Sequence, residues 1–297
     1  MDREAADAPF VNPTSAARVD CPTPRIDDRD WDLLTTGQQI RQLEVEGYVL
    51  LPNMLDAEQL QRLKAQTSRF ETSHVDYSVH QRGRSGVQFA GGAVTELIAH
   101  PPMIRFLEPL CGDELVLMSY DYGRSEPGHP GISLHCDGQP WGSKIFGAEY
   151  TCPKLVRVLY YLDDLTPEVS PFRVVPRSHS SYHNQANPYL RYEQHPDEVM
   201  VTCTAGTAAV FDHNLFHGNY PNTGTYARES LQFAYRPSWA GPAAPIEPWD
   251  ASALAKVSPA VRRLMGDRSG RIWIYDGGNK PPDMPRDAPG ISPHRWD

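Results

Sequence analysis

His135 and Asp137 stand two residues apart in the run Gly131-Ile-Ser-Leu-His-Cys-Asp-Gly-Gln-Pro-Trp141. In an extended strand, side chains at i and i+2 point to the same face, so an imidazole nitrogen and a carboxylate oxygen converge while Cys136 turns away. Two such groups on rigid backbone leave a divalent metal one protein ligand short. The run Phe211-Asp-His-Asn-Leu-Phe-His-Gly-Asn-Tyr-Pro-Asn222 offers two candidates for the third position. His217 is preferred because Gly218 follows it and Arg228 stands eleven positions on, and His213 is its main rival. Two imidazoles and one carboxylate on one face of iron(II) leave the opposite face open for a co-substrate and oxygen. A lone H-x-D occurs by chance in many chains, so the weight of the reading lies on its context.

That context begins at Arg228, which opens Arg-Glu-Ser-Leu-Gln-Phe-Ala-Tyr-Arg236. Strand alternation puts Arg228, Ser230 and Gln232 on one face and Leu231, Phe233 and Tyr235 on the other. A barrel with a polar lumen and an outer face packed under helices produces this pattern. A guanidinium pointing into such a lumen needs a partner, either an internal carboxylate or the distal carboxylate of a dicarboxylate co-substrate held bidentately.

Further strands are read at 114–122, 155–162, 172–175, 200–203, 208–211 and 230–235, with turn residues between them. Upstream, Thr35 or Thr36 caps a short helix with Ile40, Leu43 and Val45, ended by Gly47. Tyr48–Leu51 forms a short strand, and Asp56 caps a second helix with Leu60, Leu63 and Phe70 on one stripe. A polar, Gly-rich segment runs from Ser73 to Gly92, with a strand at Gln88 and Phe89, and a helical piece from Ala93 to Cys111 breaks at Pro101-Pro102. One further helix is read near Ala251–Met265. Short strands with long connections, preceded by helices, predict a mainly β fold with flanking helices, a double-stranded β-helix of the jelly-roll or cupin-like kind. Residues 1–30 read as a flexible arm, 31–240 as a single jelly-roll domain with N-terminal helices, and 241–297 as a Pro/Gly-rich extension packing on the barrel.

The chain has 297 residues and a net charge of −9, which argues against a nucleic-acid surface. No run approaches the ~18 apolar residues of a membrane span, and the N-terminal residues lack a basic-then-apolar leader. Five scattered cysteines read as reduced thiols, so the expected setting is cytoplasmic, as a monomer or homodimer with a small-molecule partner.

The segments His135-Cys-Asp137, Ser170-Pro-Phe-Arg-Val-Val-Pro-Arg-Ser-His179, His217-Gly-Asn-Tyr-Pro-Asn-Thr223 and Arg228 together resemble the phytanoyl-CoA dioxygenase family of Fe(II)/2-oxoglutarate oxygenases. Glu46-Gly-Tyr-Val-Leu-Leu-Pro52 is similar to that family's entrance, and the resemblance covers about residues 38–240. It departs at Arg177, where the family usually has glycine, and in a longer insertion after Asp137. The resemblance implies that His135, Asp137 and His217 bind Fe(II), and that Arg228 holds the C5 carboxylate of 2-oxoglutarate with Thr223 adding a hydroxyl. It further implies that Met118, and Trp141 near it, line the co-substrate pocket. Turn residue, core filler and loop anchor are the plain alternatives for Thr223, Met118 and Trp141. Gln88, Tyr120, Tyr122 and Arg157, with Tyr160, are candidates to line a substrate pocket, although aromatic residues on strands are usually core. His179, His183 and His195 are expected in a lid or surface loop.

The activity so implied is oxidation by O2, foremost hydroxylation, of a small organic molecule with release of succinate and CO2. Related halogenases lack the carboxylate that Asp137 supplies, which argues against halogenation. The alternatives are a non-oxygenase metalloenzyme on a cupin-like barrel, which has no use for Arg228 at this spacing, and a ligand-binding protein that kept the fold.

Overall fold

The computed structural model describes residues 23–112, 114–137, 154–180, 195–242 and 245–271. Local chemistry sets the first elements. After strand β1 (Arg25–Asp27), helix α1 (Thr36–Glu46) starts at Thr35, whose hydroxyl and Gln38 form a reciprocal capping box, and stops at Gly47 in the left-handed region. Strand β2 (Tyr48–Leu51) follows, and Asp56 and Gln59 cap helix α2 (Ala57–Thr67) in the same way. Phe70 lies beyond that helix and meets Tyr122 edge-on at 5.5 Å. The polar segment that followed forms a hairpin, β3 (Ser73–Val75) and β4 (Ser78–Arg84). Gln88 and Phe89, expected as a strand, sit in a 3-10 turn because Gly86 enters it with φ +70°. Helices α3 (Gly92–Glu96) and α4 (Pro101–Cys111) flank the predicted proline break.

The remaining strands are β5 (Leu115–Ser125), β6 (Ile132–His135), β7 (Val156–Tyr161), β8 (Phe172–Val174), β9 (Val199–Val201), β10 (Ala208–Asp212), β11 (His217–Asn219) and β12 (Arg228–Pro237). Two short helices, α5 (Ala251–Leu254) and α6 (Pro259–Leu264), replace the single one expected, because Asp250 and Ser258 each cap a new start.

The strands build a small sheet in the order β1-β9-β8-β11-β6 and a large one in the order β2-β10-β7-β12-β5-β4-β3, the two layers of a jelly roll. Phe172 of the small sheet and Phe211 of the large one meet between the layers, ring centres 5.2 Å apart. Burying an aromatic or aliphatic side chain of this size contributes ~1.5–3 kcal/mol. The helices cover the opposite face of the large sheet. There the Tyr235 hydroxyl donates to the Ile98 carbonyl, His100 pairs with the Tyr160 hydroxyl at 2.9 Å, and Tyr120 stacks on Phe233. Among the described residues, no helix is long and apolar enough to cross a membrane.

The predicted arm, residues 1–30, is corrected at its end. Arg25–Asp27 pairs in parallel with β9, anchored where the Tyr48 hydroxyl donates to the buried Asp27 carboxylate at 2.6 Å. Past the barrel, the fully buried Arg236 guanidinium donates to the carbonyls of Asp267, Arg268 and Gly270, tying that part of the C-terminal segment to β12.

Candidate metal centre

Strands β6 and β11 pair antiparallel with His135 directly opposite His217, which brings two distant stretches of chain to one place. The imidazole centres lie 4.4 Å apart. Asp137 follows β6 by two residues and returns to the same point, its N–H donating to the His213 carbonyl at 3.0 Å. Its Oδ1 stands 3.6 Å from His135 Nε2 and its Oδ2 3.7 Å from His217 Nε2. One ligand atom from each of the three residues lies within 4.8 Å of the others. Cys136 turns the other way, into a small apolar cluster with Leu134, Val175 and Phe216, as alternation requires.

Backbone carbonyls settle which ring nitrogen faces the centre. His135 Nδ1 meets the Ser133 carbonyl and His217 Nδ1 the Leu215 carbonyl, each at 2.9 Å. A carbonyl can only accept, so Nδ1 carries the proton and Nε2 keeps its lone pair toward Asp137. Burial opposes charge on Asp137, yet His217, His135 and Arg157 outweigh it and hold the carboxyl well below the usual range. Burial, then His135, pushes His217 down to about 4. Burial likewise disfavours charge on His135, but hydrogen bonding to Asp137 and Ser133 raises its pKa overall. An anionic oxygen and imidazole lone pairs converging in this way suit a divalent cation.

The other candidates divide. Arg228 is buried in the inner layer, its guanidinium donating to the Ser230 and Ser170 hydroxyls, with the Tyr161 ring 5.7 Å away. Its Nε has no hydrogen-bond partner, and no carboxylate within ion-pair distance stands among the described residues. Burial lowers its pKa, with Tyr161 and Asp163 opposing the shift. Gly123 faces this area, where a Cβ would come within 2.5 Å of Gln232 and 3.5 Å of Ser230. Thr223 is not brought here. It is exposed, and its hydroxyl donates to the Glu168 carbonyl, so the turn reading holds for it and Ser170 stands beside Arg228 instead. Ser170 was missed as a site residue, and its one signal was that it opens the Ser-Pro-Phe-Arg motif. Met118 is buried with Val116 and Ala234 and accepts from Arg236 through Sδ at 3.2 Å. Trp141 and His183 lie outside the described residues.

Tyr120 and Tyr122 point into the helix-covered core, and the Tyr122 hydroxyl donates to Glu229 at 2.6 Å, so neither lines the lumen. Tyr160 lies on that face too, and Gln88 is in the 3-10 turn before α3. Arg157 does reach the centre, with Nε 2.9 Å from Asp137 Oδ2. His213 is buried, and burial holds it down at about 4; its backbone carbonyl accepts from Asp137, and its ring is not part of the group of converging ligand atoms. His179 and His195 are buried, not surface residues. One pairs with the Glu44 carbonyl, and the other accepts from the Asp197 N–H. Arg177 takes the left-handed conformation at φ +68°, a region that favours glycine, and its guanidinium pairs with Glu46 at 2.8 Å.

A curated relative, L-proline trans-4-hydroxylase of Streptomyces griseoviridis, is 24% identical over 240 residues, covering 68% of this chain and 87% of that protein. Among solved structures, HygX from Streptomyces hygroscopicus with nickel and 2-oxoglutarate bound has a TM-score of 0.60 at 16% identity, over 74% of this chain and 94% of the other. The epimerase SnoN from nogalamycin biosynthesis also has a TM-score of 0.60, at 18% identity over 78% and 94%. The carbocyclase SnoK of the same biosynthesis reaches 0.58, at 18% over 80% and 95%. The family model for phytanoyl-CoA dioxygenase matches residues 43–230, which takes in every residue of the centre, and the chain belongs to that family of iron- and 2-oxoglutarate-dependent oxygenases.

Proposed function

We propose that His135, Asp137 and His217 hold iron(II), that Arg228 with Ser170 and Ser230 takes the distal carboxylate of 2-oxoglutarate, and that the chain hydroxylates a small organic molecule. The observation that carries this reading is the Arg228 guanidinium, buried in the same inner layer as the triad and lacking a carboxylate among the described residues. A buried charge without a counter-ion is costly, and a dicarboxylate ligand supplies one. When bound, iron and 2-oxoglutarate supply the oxidising power, with O2 consumed and succinate and CO2 released.

The protein's own part is positional. His135 and His217 present Nε2 because their Nδ1 protons are committed to carbonyls. Asp137 stays anionic at neutral pH, because His217, His135 and Arg157 outweigh the burial that opposes its charge. Phe172 and Phe211 pack within 6.1 Å and 4.6 Å of the His217 ring and keep water from that side. Cys111 and Cys203, neither of them in a disulfide among the described residues, support a cytoplasmic setting.

The test is anaerobic loading of the purified chain with Fe(II) and 2-oxoglutarate, then exposure to oxygen with succinate measured. Slow formation of succinate without added substrate is expected, rising when the right small molecule is offered, with free L-proline and other cyclic amino acids tried first. No succinate under any condition would leave a non-oxygenase metalloprotein as the reading. A chlorinated product in the presence of chloride would overturn the assignment of hydroxylation.

A further inference from the structure

Asp137 has two oxygens, and the histidines do not choose between them, since one lies 3.6 Å from His135 Nε2 and the other 3.7 Å from His217 Nε2. Arg157 breaks that symmetry. Its Nε stands 2.9 Å from Oδ2. The arginine comes from the middle of the large sheet, on β7 opposite Phe211 of β10 and Ala234 of β12, so its backbone is held on both sides. The Nε–H is buried and not aligned on any acceptor among the described residues, so the present contact is an ion pair and not yet a hydrogen bond. An unsatisfied buried N–H costs about 1–3 kcal/mol, which a turn of the carboxylate toward it would recover.

We infer that Arg157 withholds one oxygen of Asp137 from the metal, so that the carboxylate binds at a single point and a coordination position stays open. This rests on the metal assignment proposed above. If His135, His217 and one oxygen of Asp137 held iron(II), the rest of its coordination shell would be free for a chelating co-substrate and oxygen. A carboxylate binding through both oxygens would occupy part of that free shell. Arg157 is therefore a positioning residue that acts through Asp137. The sign of its effect on the metal is distinctive, because a guanidinium beside a divalent cation repels it. Arg157 does not tighten the metal; it keeps the site open.

The experiment compares the wild-type chain with Arg157→Ala and Arg157→Lys, using Mn(II) titration of the metal-free protein and nitric oxide binding to the anaerobic Fe(II)–2-oxoglutarate complex. In the alanine variant Mn(II) should bind at least as tightly as in wild type. Nitric oxide, standing in for oxygen, should bind more weakly, and substrate-free succinate formation should fall with it, by ~10–100-fold as is usual for a partner of a metal ligand. The lysine variant, which keeps a positive donor, should recover part of the loss. Unchanged nitric oxide binding in Arg157→Ala would overturn the inference and leave Arg157 to a substrate anion. Loss of Mn(II) binding together with nitric oxide binding would also overturn it, by showing a merely structural role. If the wild-type chain itself gives no 2-oxoglutarate charge-transfer band with Fe(II), the metal assignment fails first, and that result is read before any variant is made.

Discussion

Each ligand of this centre is prepared by a neighbour that restricts it. Carbonyls at Ser133 and Leu215 fix the imidazole protons, and two histidines with Arg157 keep Asp137 ionised. Asp137→Ala should therefore abolish succinate formation and weaken Mn(II) binding while leaving a folded protein. The side chain is 23% exposed, and the main cost is an Arg157 left without its counter-ion, about 1–3 kcal/mol. Far-ultraviolet circular dichroism with a thermal melt checks this, and an unfolded variant would make Asp137 a structural residue. Arg228 stands beside Ser170, a hydroxyl missed in the sequence, and away from Thr223, the one the family resemblance implies. Hydrogen bonds to a charged group contribute ~1.5–3 kcal/mol, so Arg228→Ala should raise the 2-oxoglutarate concentration needed for half-maximal turnover by roughly 10–150-fold. Ser170→Ala should raise it by a smaller factor, and Thr223→Ala should leave it unchanged because Thr223 faces Glu168 at the surface. A rise with Thr223→Ala and none with Ser170→Ala would reverse the assignment.

At the scale of elements, the centre depends on how closely β6 and β11 approach. A Cβ on Gly218 would come within 2.3 Å of the Ile132 carbonyl oxygen and 3.0 Å of that of Ser133, and neither backbone atom can swing aside. Gly218→Ala should push β11 off β6, cost ~1–3 kcal/mol of stability as overpacking does, and weaken Mn(II) binding because His217 moves with its strand. Gly37 in α1 is the control, since a Cβ added there would meet nothing within 4 Å: its alanine variant should be as stable or slightly more so, with metal binding intact. Comparable losses in both variants would mean that the strand approach does not set the site. This pairing also marks the limit of what could be read from the chain. The triad was legible because period-two alternation and the spacing to Arg228 are local facts, and the helix caps at Thr35 and Asp56 were legible for the same reason. The partner of Arg228 was not, because Ser170 comes from a segment more than fifty residues away. Tyr120 and Tyr122 were misplaced because alternation tells which residues share a face but not which face is covered by helices. The anchoring of Arg25–Asp27 depends on the Asp27–Tyr48 bond across twenty-one residues, which no local pattern announces.

Over the molecule as a whole, the histidines make folding sensitive to acid. His100, His129, His195, His213 and His217 are all buried, and burial lowers the pKa of each. His129 is the most useful for a test because it lies apart from the metal ligands. It faces Ser125 at 2.9 Å and Tyr77 at 3.5 Å, and burial, then Arg228 and His80, hold it down at about 4. The unfolded chain takes up its proton near the ordinary value of ~6.5, whereas the folded chain waits until about 4. Between those values the unfolded state binds more protons, so stability is fully present above pH ~6.5, falls as pH drops, and stops falling below the folded value. Urea unfolding of the metal-free chain at pH ~7.5 and pH ~5 should thus show a loss at the lower pH. His129→Gln, which keeps polar atoms for Ser125 and Tyr77 but cannot titrate in this range, should shrink the gap by on the order of 1–2 kcal/mol, less than an unscreened shift would give. A gap of the same size in the variant would show that His129 does not carry its share, and that the acid sensitivity belongs to the other four.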